Sequence, residues 1–228
     1  RSGCKLVDAD YSQIELRVLA HISADENMMN AFNSDEDIHT NTAAQVFHMP
    51  PDFITPEMRR RAKAVNFGIV YGIGAFSLSQ DIGVSVAEAD QYIKNYLDTF
   101  SGVRKYIEDT VSFAQENGYI ATIFGRRRAL PEITASNKNI ANFGKRVAMN
   151  TPIQGTAADI IKIAMIRVYH RLQKEGLQAK LILQVHDELI VEAPEHEVEQ
   201  VHNLLREEMQ NAVKLRVLLK ADVGEGKT

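Results

Sequence analysis

The sequence predicts an α+β fold, a small antiparallel sheet with helices on one face. Three observations predict it. The chain opens on a short alternating run from Lys5 to Tyr11. Near its other end two apolar, β-branched runs, KLILQV and LIVEAP, flank the polar triplet His186-Asp187-Glu188. Between them lie long stretches with apolar residues at helical spacing. A strand, many helices, a hairpin, a helix and a last strand make helices segregated on an antiparallel sheet.

Each element has a local reason. In KLVDADY the alternation suits a strand, and it sends Asp8 and Asp10 to the same side. From Ser12 the period changes, and Ile14, Leu16, Val18, Leu19 and Ile22 favour a helix. A polar stretch follows. Thr55-Pro56-Glu57 then starts a helix, with Thr55 as N-cap and proline at the first helical position. It should run to about Tyr71, with Gly72 and Gly74 ending it. Residues 86–117 form one helical pattern closed by Gly118. Residues 119–131 read as a short hairpin or loop carrying an arginine triplet. Residues 137–150 and 153–175 read as two more helices, the second ending at Gly176. The two apolar runs then form a hairpin with three polar residues at its tip. Residues 195–213 make a last amphipathic helix and 215–223 a last strand.

Composition bounds the function. The 228 residues, 45% apolar and 25% charged, suffice for one large domain or two small ones with a sizeable core. No stretch nears ~18 consecutive apolar residues, so no membrane span is expected. Arg1-Ser2-Gly3-Cys4 lacks an initiator Met and has no apolar signal core behind it, so a segment of something longer is expected. The single cysteine, Cys4, excludes an internal disulfide framework and a Cys-rich zinc site, and fits a reducing cytosol. The net charge of −4 and pI near 6.0 argue against a nucleic-acid binder, but the average conceals segregation. Seven of the 26 basic residues sit in Arg59-Arg60-Arg61-x-Lys63 and Arg126-Arg127-Arg128, which can build a local anion-binding surface.

Two groups of residues could carry chemistry. Asp10, where a strand turns into a helix, and Asp187, at a hairpin tip, project carboxylates from rigid elements, as a magnesium site requires. Taken alone, two aspartates at turns are by default solvated surface acids. On the helix starting at Pro56, Arg59, Lys63, Phe67 and Tyr71 follow an i, i+4, i+8, i+12 row. Two cations near a helix N-terminus, then two aromatics, would set a polyphosphate beside a sugar and a base. The alternative is two solvated cations and two core aromatics.

These residues resemble a known family. Asp10-Tyr11-Ser12-Gln13-Ile14-Glu15-Leu16-Arg17 is similar to the first catalytic motif of the family A DNA polymerases, the bacterial DNA polymerase I group. Arg59-x-x-x-Lys63-x-x-x-Phe67-Gly68-x-x-Tyr71-Gly72 resembles their fingers-helix motif, and Gln184-Val185-His186-Asp187-Glu188 their third motif. Arg146, Asn150 and Gln154-Gly155 stand where that family contacts template and primer. The resemblance runs in order over essentially the whole chain.

It implies a polymerase palm from residues 1–25 and 146–228, with a mostly helical fingers subdomain, 26–145, inserted between. It implies template-directed addition of dNTPs to a primer 3′-hydroxyl by two-metal nucleotidyl transfer, in DNA replication and repair. Asp10 and Asp187, with the Tyr11 backbone carbonyl, would hold two Mg²⁺ ions. Arg59 and Lys63, with His39, would bind the triphosphate, and Lys63 could protonate the pyrophosphate. Gln13 joins the dNTP-binding group, Phe67 lies against the deoxyribose and Tyr71 near the nascent base pair. Glu15 closes the space of a 2′-hydroxyl. Glu188 is an acid beside the metal ligands, His186 contacts the primer end, and Arg146, Asn150 and Gln154 touch the duplex. Primer-template DNA and dNTPs are the implied partners, with no membrane and no obligate protein partner. The implied location is the bacterial cytoplasm, at the nucleoid. Thumb and exonuclease domains are expected outside these 228 residues, leaving the chain by itself poorly active.

Two other readings stay open. A single-subunit RNA polymerase shares the palm and an aromatic-bearing fingers helix, but Glu15 with Phe67 favours deoxynucleotides. A non-catalytic DNA-binding relic is opposed by intact Asp10, Asp187, Arg59 and Lys63. The terminal Gly224-Glu225-Gly226-Lys227-Thr228 resembles the end of a phosphate-binding loop, but Ala221 stands where that loop needs a glycine. It is set aside.

Overall fold

Val7, Ala9 and Tyr11 are buried along the first strand, β1 (Cys4–Tyr11), while Asp8 and Asp10 alternate with them on the opposite face. One face therefore faces a core and the other keeps its acids near water. The computed structural model describes residues 2–34 and 36–227. Contacts divide the chain into two compact units, residues 1–14 with 157–228 and residues 15–156.

In the first unit β1 lies inside a four-stranded sheet of order β4-β5-β1-β6, where β4 is Lys180–Val185, β5 Glu188–Pro194 and β6 Ala221–Lys227. All pairings are antiparallel. Leu189, Val191 and Ala193 of β5 are buried in alternation, as in β1. The helix Val198–Gln210 packs on β1, β5 and β6 through Val201, Leu204, Leu205 and Met209, one apolar stripe. Tyr11, buried at the strand end, donates its hydroxyl to the Met209 carbonyl at 2.6 Å. The α+β class holds.

The second unit is helical. Its elements are α1 (Ile14–Ser23, whose first residue counts with the sheet), α2 (Glu26–Asn33), α3 (Ile38–Phe47), α4 (Pro56–Val70), α5 (Ala75–Ile82), α6 (Val86–Thr99) and α7 (Ser101–Asn117). A hairpin of β2 (Tyr119–Ala121) and β3 (Arg127–Ala129) follows, then α8 (Lys138–Lys174), which runs on into the first unit. We number Val198–Gln210 α9. Along the chain the two units meet at 14/15 and 156/157. Arg17 of α1, stacked 4.6 Å over the Phe32 ring of α2, shows why α1 goes with the helices.

Several expectations are corrected. The polar stretch 24–54 holds α2 and α3, capped by Asp25 and Asp37, and a 3-10 turn at Pro51–Phe53. Helices of this length are marginal alone, so buried Met28, Phe32, Ile38 and Val46 make them, not local periodicity. The helix α5 was likewise unread. The pattern 86–117 breaks at buried Phe100 (φ −103, ψ 67). There Asp25 accepts the Gly102 N–H at 2.8 Å, which replaces a helical bond. Conversely, the expected break at Pro152 is absent, and α8 is continuous. Ala148, Ile153 and Thr156 are buried around it, which outweighs the ~3 kcal/mol that proline costs a helix. The last strand begins at Ala221, not 215, so Gly224–Lys227 is sheet, with Gly224 opposite Asp8, and not a phosphate loop. The last helix begins at Val198, after a 3-10 turn at Glu195–Glu197. The hairpin tip is two residues, His186-Asp187, because Glu188 pairs with Val185.

Candidate active site

In the sheet unit the acids gather at one end of β1. Asp10 sits opposite Glu188 of β5 and opposite Asp222 of β6, so three carboxylates form a row across neighbouring strands. Asp187 follows from the turn, whose backbone is fixed twice. The Tyr11 N–H donates to the Asp187 carbonyl at 3.2 Å, and Gln184 Nε2 donates to the His186 carbonyl at 2.6 Å. His186 itself stands at φ +49, a conformation that favours glycine or asparagine. Gln13 has φ +54 in the turn leading into α1, within this unit.

Like charges directly opposite one another are destabilising in a sheet. Burial, followed by the Asp187, Glu188 and Asp222 carboxylates, pushes the Asp10 carboxyl up to about 6, against a backbone bond at Tyr11. A divalent cation would relieve that repulsion. Among the described residues no group of three or more His, Cys, Asp or Glu side chains is arranged as a metal cage. An ion of the Mg²⁺ kind takes one or two protein carboxylates and completes its shell with water and substrate oxygens. The donor set fits such an ion. Asp222 was missed because its place beside Asp10 depends on strand register, and the sequence put the last strand too early.

In the helical unit the row on α4 is in place. Thr55 Oγ1 accepts the Met58 N–H at 3.2 Å, so the cap and Pro56 start the helix as expected. Arg59 Nε donates to Asp37 Oδ2 at 2.5 Å. Burial alone would raise the Asp37 carboxyl, but the bonds from Arg59, the His39 N–H and Thr40 outweigh it and hold it low. Lys63 Nζ lies 6.0 Å from the Phe67 ring centre, and the Phe67 and Tyr71 rings stack at 6.4 Å and 18°. Gly72, at φ +65, turns the chain where a Cβ would stand 2.5 Å from Met149 Cε.

Glu15, at the start of α1, meets the far end of this row. Tyr71 donates its hydroxyl to Glu15 Oε2 at 3.0 Å, and Gln154 Nε2 donates to Oε1 at 3.1 Å. Tyr71, Arg146, Asn150 and Gln154 line one groove, joined by Arg128, Phe143 and Thr151. Within the triplet, Arg126 donates to the Gly155 carbonyl at 2.8 Å and Arg127 covers Tyr119 at 4.6 Å. Arg128 was not singled out from the triplet by sequence, since only packing separates the three.

His39 is only 3% exposed, and Asn66 Nδ2 donates to its Nδ1 at 3.0 Å, which leaves the ring proton on Nε2. Burial first, then Arg59 and Lys63, depress it to about 4, with Asp37 opposing. His39 is thus uncharged at neutral pH, with its ring proton on Nε2. The unfolded chain takes up this proton near 6.5 and the folded chain only near 4, so folding loses stability as pH falls across that window. At ~1.4 kcal/mol per pKa unit the loss is about 3 kcal/mol at most. The raised Asp10 works oppositely between about 6 and 3.8, so the comparison needs His39→Gln. Urea unfolding from pH 7 to 4 should show wild type losing about 3 kcal/mol more than the variant. Parallel profiles would place the imidazole in an ordinary environment.

Residues 1–228 match the model of DNA polymerase family A. DNA polymerase I of Bacillus caldotenax is 56% identical over 220 residues, which is 96% of this chain and 25% of that protein. The Bacillus subtilis DNA polymerase I is 56% identical over 218 residues, with the same shares. The thermostable DNA polymerase I of Thermus filiformis is 47% identical over 225 residues, 99% of this chain and 27% of that protein. The chain spans about a quarter of the length of these curated relatives. Among solved structures, the POL domain of Pol1 from M. smegmatis, in complex with DNA primer-template and dNTP, aligns with a TM-score of 0.95 and 45% identity. That alignment covers 100% of this chain and 40% of that one. Among the described residues no helix is long and apolar enough to cross a membrane.

Proposed function

The chain belongs to DNA polymerase family A, and on that premise we propose that it performs template-directed DNA synthesis, adding dNTPs to a primer 3′-hydroxyl. Residues 1–25 and 146–228 are read as palm and 26–145 as fingers. The observation that carries the reading is the row Glu188, Asp10, Asp222 with Asp187 beside it, a repulsion that calls for cations. Asp10, Asp187 and the Tyr11 carbonyl would hold two Mg²⁺ ions. When bound, the ions would activate the 3′-hydroxyl and neutralise charge on the triphosphate and leaving pyrophosphate.

The protein's own groups do the rest. Arg59 and Lys63 bind the triphosphate, His39 adds a neutral donor, and Lys63 supplies a proton to the departing pyrophosphate. Phe67 packs on the deoxyribose and Tyr71 on the nascent base pair. Gln13 joins the nucleotide contacts, Glu188 steadies the ligand pair and His186 meets the primer end. Arg146, Asn150 and Gln154, along one groove, hold the duplex through phosphate and sugar contacts. The M. smegmatis neighbour's DNA primer-template and dNTP support these partners. DNA replication and repair in the bacterial cytoplasm, at the nucleoid, is the matching role.

The test is primer extension by the natural full-length polypeptide with Mg²⁺ or EDTA, and with dNTPs or rNTPs. Metal-dependent extension that prefers dNTPs is expected. Preference for rNTPs would turn the reading to an RNA polymerase, and no extension at all to a binding relic.

A further inference from the structure

We propose that Gln154 is a positioning residue for sugar selection, fixing the Glu15 carboxylate as a rigid wall at the 2′ position of the incoming nucleotide. The inference rests on the proposed polymerase reading and adds a residue to its specificity. Glu15, Tyr71 and Gln154 come from α1, the end of α4 and α8, all within the helical unit. Their meeting point is one carboxylate, with the Tyr71 hydroxyl on Oε2 and the Gln154 amide on Oε1.

Two donors on different oxygens do what one cannot. A glutamate turns about three side-chain torsions, and a single bond to Oε2 leaves Oε1 free to swing. The second bond fixes the carboxylate plane. Fixing matters for the sign of the effect, because a carboxylate is an acceptor and a 2′-hydroxyl is a donor. A mobile Glu15 could swing to accept that hydroxyl and so favour ribose. A Glu15 held on both oxygens cannot rearrange without breaking a bond, and it excludes the hydroxyl by volume.

The test measures kcat/KM for matched rNTP and dNTP on one primer-template, in the natural full-length polypeptide. Any loss of duplex contact by Gln154 is common to both sugars and cancels in the ratio. Gln154→Met keeps the length and removes the donor. It should lower discrimination against rNTP at least fivefold, and Tyr71→Phe, which removes only the other donor, should lower it comparably. In Glu15→Ala, adding Gln154→Met should change the ratio no further, since nothing is left to position. Equal losses for both sugars in Gln154→Met, with Glu15→Ala still relaxing discrimination, would overturn the inference and leave the polymerase reading standing. Unchanged discrimination in Glu15→Ala would overturn the sugar wall itself, and the inference with it.

Discussion

Asp10→Ala or Asp187→Ala is expected to abolish nucleotide addition in the full-length polypeptide while leaving primer-template affinity largely intact. On the proposed reading both carboxylates act in the chemical step; they stand at one end of β1 and in the adjoining turn. Duplex affinity comes mainly from phosphate contacts elsewhere. The two effects therefore separate in single-turnover kinetics and in equilibrium binding at fixed salt. A rate above about a hundredth of wild type, less than ~2.7 kcal/mol of barrier, would remove the residue from the metal site. The variants carry a second signature. Each removes one member of a like-charge cluster, so without metal Asp10→Ala should melt higher than wild type at pH 7. An inactive variant that melts lower has lost its fold, not its ligand.

The second large effect is expected at the triphosphate. Lys63→Ala should lower dNTP incorporation efficiency by 10²–10³, about 3–4 kcal/mol, the usual consequence of removing one preorganised charge from a developing anion. Arg59→Ala should act more through nucleotide binding. Its ion pair with Asp37 is half open to solvent, with side chains 45% and 37% exposed. Such a pair is worth at most ~1 kcal/mol, so a triphosphate can draw Arg59 away at little cost. Removing Arg59 then leaves Asp37 facing the anion, and Asp37→Asn should partly restore binding in the Arg59→Ala background. Single-nucleotide incorporation over a dNTP titration reads both. Efficiency within threefold of wild type in Lys63→Ala would exclude it from the phosphate site.

What was legible in the chain itself is what neighbours in sequence decide. The strand β1 and the same-side placement of Asp8 and Asp10 follow from a two-residue period. The start of α4 follows from Thr55 and Pro56, and its row from Arg59 to Tyr71 from a helical period. Gly118 and Gly176, at φ +72 and +68, end their helices as glycines do. The three stretches that resemble the family's motifs were legible because each is contiguous. What the tertiary structure alone decided depends on partners far along the chain. The helices α2 and α3 exist because buried side chains hold short segments that would fray alone. The chain breaks at Phe100 because Asp25 takes a backbone N–H there, and α8 passes Pro152 because burial around it exceeds the cost of a lost bond. Asp222 reaches Asp10 only through the register of β6 on β1, and Gln154 reaches Glu15 across 139 positions of sequence. Local periodicity encodes which face a residue takes. It carries no information about which distant residue stands opposite, because that is set by the packing energy of the whole unit.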